Sequence, residues 1–575
     1  MIRRSVKINF AAIALASMLL LVAQSALAFN NGNGKWDNLR ERMRNRGIKN
    51  VIFMIPDGCD ETVQTAARWY KGEDLQVDKM QNASLKTHMA NSVITGSAAA
   101  GTAFATGHKT TVRFLGVGPR TDDLLSGFEP TAEPYAPVSS VLEAAKLKGK
   151  ATGLVATSRV THATPAAFAS HVQDRGMDNA IMEHMVYNSV DVVFGGGARH
   201  LIPSGESHTT SFGASWNGRR SDGENLMDVL ESRGYTFVDN REDMLALRKG
   251  PVWGLFDDSH MQPDMDRQYF APHEPSLAEM TAKAIELLSQ DKDGFFLMVE
   301  GSQVDWAGHN NDPIYMVKDF LAFDDAVKVA CDFADADGGT LVVTFPDHNT
   351  GGMKIGHYAT AMGYTETTIE DLVAPLKGMT ITSGGLVSMM DNRDDDAELE
   401  AKVAEYWGLT LSAEDMDEIR DFEESLGLNY ALARVVSKNH TVIGWTTHGH
   451  TGETVPVWVY GGDAPLGTID NTELALMAAE AMNVDLDKMS AYLYVDLDEA
   501  GIAYSVDTTD PENPILVIDG AKLPVSKDYM VVEKRGKSRR FKLPGVTVQA
   551  PQADDDPSND KFYISERALR ILQRF

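Results

Sequence analysis

Cysteine is scarce in this chain. Only Cys59 and Cys331 occur among 575 residues. This scarcity excludes a framework of several disulfides, the kind that holds small secreted domains together. A single bridge between the two is possible, but two buried free thiols are the favoured interpretation. Stability must therefore come from a hydrophobic core, and 43% hydrophobic residues are enough to build one.

Long apolar runs are absent beyond the first residues. No later segment has the roughly 18 consecutive apolar residues that a membrane-spanning helix needs, so we expect no span in the mature chain. Residues 1–28 have the pattern of a cleaved signal peptide: early cations, an apolar run over 10–23, and the cleavage triplet Ala26-Leu27-Ala28. An uncleaved anchor is the less favoured alternative. The pattern predicts a periplasmic or secreted bacterial protein.

Positive charge is in the minority, with 53 Lys and Arg against 82 Asp and Glu and a formal net charge of −29. Removal of the leader cations Arg3, Arg4 and Lys7 brings the charge to −32. Such a surface repels nucleic acid, and we expect no nucleic-acid partner. It also repels phosphate esters, so a phosphate site must create its own positive field, as bound metal ions do.

Short apolar runs recur along the chain, and most of them end in Gly, Asp, Glu, Ser or Thr. They cover residues 51–55, 153–156, 191–194, 295–299, 341–345 and 457–460. Runs without alternation predict strands buried on both faces, as in a parallel sheet. Helical patterns such as residues 276–288 and 315–333 lie between them. The alternation predicts an α/β fold with a doubly wound, mainly parallel sheet and helices on both faces.

Two regions depart from this alternation. Residues 354–439 carry acidic helical patterns and predict a large insertion within a catalytic domain of residues 29–498. The insertion could be a lid, a dimer contact or a surface embellishment. Residues 499–575 contain short β-like runs among Pro, Asp and Asn, which predict a small C-terminal β-rich appendage. A second role for this appendage in surface interactions is an open alternative.

Carboxylates and histidines cluster at the ends of the predicted strands. They are Asp57, Glu300, Asp305, His309, Asp347, His348 and His450. Zinc prefers His nitrogen and carboxylate oxygen, whereas magnesium prefers oxygen, so this set could hold both metals. Asp305 and His309 are four apart and would share one helix face. Any one of these residues alone is more simply a cap or a core histidine; the set as a whole indicates a metal site.

A serine precedes a run of small residues in the segment from Thr95 to Gly107. Ser97 at a helix start would gain from the helix dipole, and the free N–H groups there could hold phosphate oxygens. A packed helix with a serine cap is an equal alternative. Arg175 has the planar fork that matches two phosphate oxygens, although a lone arginine is more often part of a surface ion pair.

Taken in order, these segments resemble the alkaline phosphatase family over residues 50–461. The matching segments are Asp57-Gly58; Gly96-Ser97-Ala98-Ala99; His162-Ala163-Thr164-Pro165 with Arg175; Glu300 to Asp305 with His309; Asp347-His348; and His450-Thr451-Gly452-Glu453. The resemblance implies hydrolysis of small phosphate monoesters through a phosphoserine at Ser97, with Arg175 on the phosphate. It also allows a homodimer.

The resemblance further implies two zinc ions and one magnesium ion. The first zinc would be held by Asp305, His309 and His450. The second would be held by Asp57, Asp347 and His348, and by Ser97 during turnover. The magnesium would be held by Asp57, Thr164 and Glu300 with water molecules.

The chain departs from the best-known bacterial members at three positions. Gly96 and His162 stand where those members have aspartate, and Trp306 stands where they have lysine. His162 and Trp306 are therefore expected next to the site, with effects on the magnesium position and on phosphate affinity. A phosphodiesterase, sulfatase or mutase on the same fold is the nearest alternative. A non-catalytic exported protein that binds metal or phosphate is an alternative from another class.

Overall fold

The computed structural model describes residues 47–534, 536–552 and 559–574. The predicted signal peptide, residues 1–28, lies outside these ranges. Within them, no helix is both long enough and apolar enough to cross a membrane.

The described chain contains 24 strands, most of them short. They are β1 (Asn50–Pro56), β2 (Gln81–Lys86), β3 (Ala151–Arg159), β4 (Val192–Gly196), β5 (Ser207–Thr209), β6 (Ser215–Asn217), β7 (Thr236–Val238), β8 (Val252–Leu255), β9 (Phe295–Gly301), β10 (Thr340–Thr344), β11 (Asn349–Thr350), β12 (Lys354–Ile355), β13 (Ile443–Gly444), β14 (His450–Thr451), β15 (Val455–Tyr460), β16 (Thr468–Asp470), β17 (Val495–Asp496), β18 (Ser505–Asp507), β19 (Ile515–Ile518), β20 (Ala521–Pro524), β21 (Tyr529–Lys534), β22 (Lys537–Lys542), β23 (Val548–Ala550) and β24 (Lys561–Ile564).

The α-helices of the described residues lie between these strands. They are α1 (Glu61–Lys71), α2 (Ser97–Thr106), α3 (Val141–Leu147), α4 (Ala163–Ala166), α5 (Asp178–Tyr187), α6 (Leu226–Ser232), α7 (Arg241–Ala246), α8 (Arg267–Phe270), α9 (Leu277–Leu288), α10 (Gln303–Asn310), α11 (Pro313–Asp337), α12 (Ile369–Gly378), α13 (Ser383–Ser388), α14 (Asp396–Trp407), α15 (Ala413–Leu426), α16 (Leu428–His440), α17 (Thr472–Met482), α18 (Leu486–Leu493) and α19 (Glu566–Leu572).

A ten-stranded sheet forms the centre, in the order β16-β2-β15-β10-β1-β9-β3-β4-β8-β7. The neighbours from β10 to β7 are all parallel. Alternate residues of β1 enter opposite cores: Ile52 and Met54 pack on one face, and Val51 and Phe53 pack on the other. Helices pack on both faces of the sheet and contribute to both cores, so the predicted doubly wound α/β sheet is confirmed.

The run at residues 457–460 was expected to join the sheet in parallel, and this expectation is wrong. It belongs to β15, which pairs antiparallel with both β10 and β2. The chain enters β15 from the edge at which the parallel strands end, so the strand has to run back across the sheet. His450, which precedes β15, therefore lies at the same edge as the polar residues that follow the other strands.

The segment proposed as an insertion folds into five helices, α12 to α16. Leu432 and Trp407 of these helices are buried in the core that also contains Ile52 of β1. The segment is thus packed onto one face of the central sheet.

Two small antiparallel sheets end the chain. β18 to β22 form one, and β17, β24 and β23 form the other. The second sheet spans the proposed boundary at residue 499, because β17 precedes it. Val548 and Tyr563 of this sheet are buried in the main core, so the C-terminal strands share a core with the catalytic domain.

Cys59 and Cys331 are both buried and free. The structure agrees with the interpretation as two buried thiols.

Candidate active site

Three parallel strands deliver polar residues to one edge of the sheet. Asp57 follows β1, Glu300 is the penultimate residue of β9, and Asp347 and His348 lie shortly after β10. α10 begins two residues after β9 and carries Asp305. Parallel strands present their carboxyl ends at the same edge, so these side chains meet there.

Two further elements complete this edge. Ser97 is the first residue of α2, and close packing seats that helix on α4: a Cβ at Gly101 would lie 2.9 Å from the Cβ of Ala167. α4 carries Thr164. β14 brings His450 opposite Thr350, two residues after His348.

The first cluster contains Asp305, His309 and His450. One turn of α10 places the first two on one face, with His309 Nε2 3.4 Å from Asp305 Oδ2. His450 Nε2 lies 3.7 Å from Asp305 Oδ1. Both imidazoles thus present Nε2 to one carboxylate, an arrangement that suits a cation with nitrogen and oxygen ligands.

The second cluster contains Asp57, Asp347 and His348. His348 Nε2 lies 3.0 Å from Asp347 Oδ2 and 3.8 Å from Asp57 Oδ1. All three side chains are at least 99% buried. Ser97 is also buried, and its Oγ lies 3.2 Å from His348 Nε2. The hydroxyl therefore reaches the same point as the ligand atoms.

The third cluster contains Asp57, His162 and Glu300. Ser302 and Ser158 both donate hydrogen bonds to Glu300 Oε2, at 2.7 and 3.3 Å. The hydroxyl of Thr164 also lies beside Glu300, where it opposes the rise in the carboxyl pKa. The second and third clusters share Asp57, so this carboxylate could bridge two cations.

Several oxygen atoms of the buried carboxylates have no hydrogen-bond partner among the described residues. Both oxygens of Asp57 and Oε1 of Glu300 have no hydrogen-bond partner among the described residues, and neither does Nδ1 of His162. Burial, and then the nearby carboxylates, raise the pKa of Asp57 well above its usual value. Burial raises the pKa of Glu300 to about 7. Buried carboxylates of this kind require a compensating charge, and their donor set fits metal cations.

The imidazoles of the first cluster differ in their electrostatics. Burial alone would lower the pKa of His309, but the hydrogen bond and the charge of Asp305 raise it to about 9. Burial, and then the charge of His348, lower the pKa of His450 to about 4. Burial would raise the pKa of Asp305, but the three histidines around it hold that pKa below its usual range.

Arg175 lies beside the third cluster, where its Nη2 donates to His162 Nε2 at 2.7 Å. Burial, and then the charge of Arg175, hold the pKa of His162 well below its usual value, so the ring is neutral and accepts this bond. Trp306 packs edge-on against His162 at 5.8 Å and against His260 at 4.5 Å. The two unusual residues, His162 and Trp306, are thus in mutual contact next to the site.

The family model for alkaline phosphatase matches residues 48–484. The chain belongs to the alkaline phosphatase family. Alkaline phosphatase 3 of Bacillus subtilis is 36% identical over 82% of this chain and 97% of its own. The repressible alkaline phosphatase of Saccharomyces cerevisiae is 31% identical over 77% of this chain and 82% of its own.

Solved alkaline phosphatases share the architecture. The match to the cold-active enzyme of a psychrophilic Shewanella covers 76% of this chain and 99% of that enzyme's chain, with 27% identity and a TM-score of 0.62. The Thermus thermophilus enzyme covers 77% of this chain and 94% of its own, with 25% identity and a TM-score of 0.64. The chain is an enzyme of this family and hydrolyses phosphate monoesters.

Several groups that orient this alkaline phosphatase site, one side chain and two backbone carbonyls, were not singled out from the sequence. Thr350 donates to Asp305 Oδ1 at 2.5 Å, and His450 Nδ1 donates to the carbonyl of Thr95 at 2.9 Å. His309 Nδ1 donates to the carbonyl of His448. The position of Thr350, two residues after His348, is a signal that could have identified it. The carbonyl acceptors could not be identified from the sequence, because every residue type has a backbone carbonyl.

Proposed function

We propose that Ser97 is the nucleophile of this phosphatase and that hydrolysis proceeds through a phosphoserine. The observation that carries the proposal is the position of Ser97 Oγ, 3.2 Å from His348 Nε2 at the start of α2. The site brings one hydroxyl to a concentrated set of metal-type ligands. A binding protein would need the ligands but not the hydroxyl.

We infer metal dependence and assign three positions. The first zinc would be held by Asp305, His309 and His450, and the second by Asp57, Asp347 and His348. The magnesium would be held by Asp57, Thr164 and Glu300. The unpartnered oxygens of Asp57 and Glu300 support this assignment, because they are buried acceptors that a cation satisfies. Bound there, the cations would supply the positive charge that favours the Ser97 alkoxide, the departing alkoxide and the hydroxide that reopens the ester.

His162 adds a nitrogen donor to the third position. Because Nε2 accepts from Arg175, the neutral ring carries its proton on the unpartnered, buried Nδ1; either nitrogen could bind a cation only by giving up that hydrogen bond or that proton. Mixed nitrogen and oxygen donors suit zinc, whereas magnesium prefers oxygen alone. A histidine-to-aspartate variant of the Antarctic TAB5 alkaline phosphatase is described with magnesium bound in its M3 site. The assignment of magnesium to this chain therefore depends on the oxygen ligands Asp57, Thr164 and Glu300.

The protein groups have separate roles in the proposed reaction. Ser97 Oγ attacks phosphorus and becomes esterified. The first N–H groups of α2 have no intrahelical acceptors, so they can bind equatorial phosphate oxygens at the positive end of the helix dipole. Arg175, held by His162, contributes a planar fork to the same oxygens. The phosphoserine is then hydrolysed from the side that the alcohol has left.

We also infer export after cleavage behind Ala28, on the leader pattern of residues 1–28. N-terminal sequencing of the exported enzyme is expected to begin at Phe29. A start before residue 20 would support the anchor alternative instead. The homodimer stays a prediction.

Hydrolysis of a chromogenic phosphate monoester and of its diester tests the proposed function, with purified mature protein supplied with zinc and magnesium. We expect a large preference for the monoester, and loss of turnover in Ser97→Ala. Ser92→Ala is a matched control, because that serine lies in the loop before α2 and its Oγ accepts from the backbone N–H of Ile94. A preference for the diester would overturn the assignment.

A further inference from the structure

The orientation of His309 depends on a loop far away in sequence. His309 Nδ1 donates to the carbonyl of His448 at 2.5 Å. The other ring nitrogen, Nε2, is therefore unprotonated when the ring is neutral, and it faces Asp305. Metal-ligating histidines are commonly fixed in this way by an acceptor on the second nitrogen.

The contact is reciprocal. His448 Nδ1 donates to the carbonyl of His309 at 2.8 Å. Asn311, the residue after α10, adds a bond from Nδ2 to the carbonyl of Thr447 at 2.9 Å. Together these bonds join α10 to the loop that also supplies His450, so they fix the distance between two ligands of the first cluster.

The insertion supplies the group that fixes His448. Arg434 of α16 donates from Nη1 to His448 Nε2 at 3.2 Å. Since Nε2 accepts this bond, the ring proton must be on Nδ1, which is the nitrogen that donates to His309. The guanidinium of Arg434 therefore selects the tautomer of His448 that the reciprocal hydrogen bonds with His309 require.

Arg434 is itself held in place without a carboxylate. Its guanidinium stacks on the ring of Phe422 of α15, 4.2 Å from the centroid. No Asp or Glu of the described residues forms an ion pair with it. In a chain of net charge −29, this is an unusual arrangement for an arginine, and its polar contact is directed at His448.

Packing alone does not immobilise the His448 ring. A cavity of about 450 Å³ borders it and is lined also by Arg434, Lys438, Trp445 and Thr447. Among the described residues, the aromatic ring that packs on His448 is that of Tyr430, at a centroid distance of 5.8 Å. The orientation of the His448 ring is therefore set by the two hydrogen bonds, from Arg434 and to His309.

We propose that Arg434 and His448 are positioning residues for His309, and that the helical insertion is through them a working part of the first metal position. The proposal rests on the proposed function, because it assumes a cation between Asp305, His309 and His450. Neither residue touches the reacting atoms. Their effect is on the affinity and the geometry of that cation.

The test compares Arg434→Met with Arg434→Lys. Met keeps the apolar contact with Phe422 but cannot donate, whereas Lys keeps one donor. We expect Arg434→Met to weaken zinc binding at the first position about 10- to 100-fold, measured by chelator competition. The visible spectrum of the cobalt-substituted enzyme should change with it. Arg434→Lys should recover most of both. Lys438→Ala is the matched control: it lies on the same helix and borders the same cavity, but its ion pair is with Glu418.

His448→Asn provides an independent arm. An Asn side chain can present its N–H₂ in place of Nδ1–H, but it has no atom at the position of Nε2, so Arg434 loses its acceptor there. The double variant His448→Asn/Arg434→Met should therefore bind zinc no more weakly than His448→Asn alone. Additive losses would overturn the proposal, and so would an Arg434→Met enzyme with wild-type affinity and spectrum. A wild-type protein that binds neither zinc nor cobalt would instead refute the proposed metal positions.

Discussion

At Gly58 the backbone conformation and the close packing of the site both require a residue without a side chain. Gly58 follows Asp57 at φ +70°, and a Cβ there would lie 2.8 Å from Asp305 Cα and 2.6 Å from Thr350 Oγ1. Glycine is needed both for the left-handed conformation and for the close approach of two ligand-bearing loops. The first and second clusters can therefore sit side by side only because this position has no side chain.

Gly58→Ala should separate these loops. We expect kcat/KM to fall by about 100-fold or more, since displacements near 1 Å cost that much. Bound zinc, measured by elemental analysis, should fall as well. Gly72→Ala is the control: φ there is +80°, but nothing lies within 4 Å of the added Cβ. That variant should lose about 1 kcal/mol of stability and keep its activity.

Arg175 is the residue assigned to the phosphate. Arg175→Lys keeps the charge but loses the fork, and it leaves His162 with a poorer donor. We expect KM for a monoester to rise about 10-fold, with a smaller effect on kcat. Arg113→Lys is a suitable control, because that side chain pairs with Asp174 on the surface. Equal increases in KM in the two variants would contradict the assignment of Arg175 to the phosphate.

The sequence was informative at this scale for residues whose type is demanded by chemistry. The meeting of Ser97, Asp305 and His450 at one site could be predicted, because the roles proposed for them, nucleophile and metal ligands, admit few residue types. His448 could not, since its role depends on a backbone carbonyl and on an arginine from another helix. The packing of Trp306 against His260 likewise depends on how the loop that contains His260 folds against α10.

At the scale of elements, most of the sheet could be predicted and the direction of β15 could not. Apolar runs identify strands buried on both faces but say nothing about the direction in which the chain enters them. The helices α9 and α11 could be predicted from the sequence, because their caps and apolar spacing are local properties. The joining of β17 to the C-terminal sheet is a long-range pairing with no local signal.

A buried network joins three segments of the chain away from the proposed metal ligands. His171 Nε2 donates to Glu143 Oε1 at 2.9 Å, and the hydroxyl of Tyr494 donates to the same oxygen at 2.6 Å. Burial would raise the pKa of Glu143, but His171 lowers it below 4.5. Burial would lower the pKa of His171, but Glu143 raises it above 6.5. The pair is therefore charged in the folded state.

This network predicts a pH-dependent contribution to stability. The Glu143 part is present above pH 4.5 and is lost as pH falls through its folded pKa. The His171 part is complete below pH 6.5 and is lost as pH rises through its folded pKa. Thermal unfolding of Glu143→Gln should show a deficit of about 3 kcal/mol between these values and a smaller one at pH 9. Asp485→Asn, in an exposed pair with Lys488, should show almost none. A deficit that grows toward pH 9 would contradict the charged pair.

The whole molecule carries a net charge of −29, which repels an anionic substrate. A phosphate monoester approaches as an anion, and its encounter with the site is opposed by the remaining surface. Salt screens this repulsion over about 8 Å at 0.15 M ionic strength. We expect kcat/KM to rise several-fold between 10 and 150 mM sodium chloride, with kcat nearly constant. Sodium perchlorate at equal ionic strength controls for specific ion effects. A decrease in kcat/KM would mean that local cations dominate the approach.

The central claim is covalent catalysis at Ser97. Rapid acid quench of the enzyme during turnover of a monoester at mildly acidic pH, followed by peptide mass spectrometry, measures it directly. The account predicts one phosphate on the peptide that contains Ser97, and none in Ser97→Ala. Turnover without a phosphorylated Ser97, or a phosphate on another residue, would contradict it.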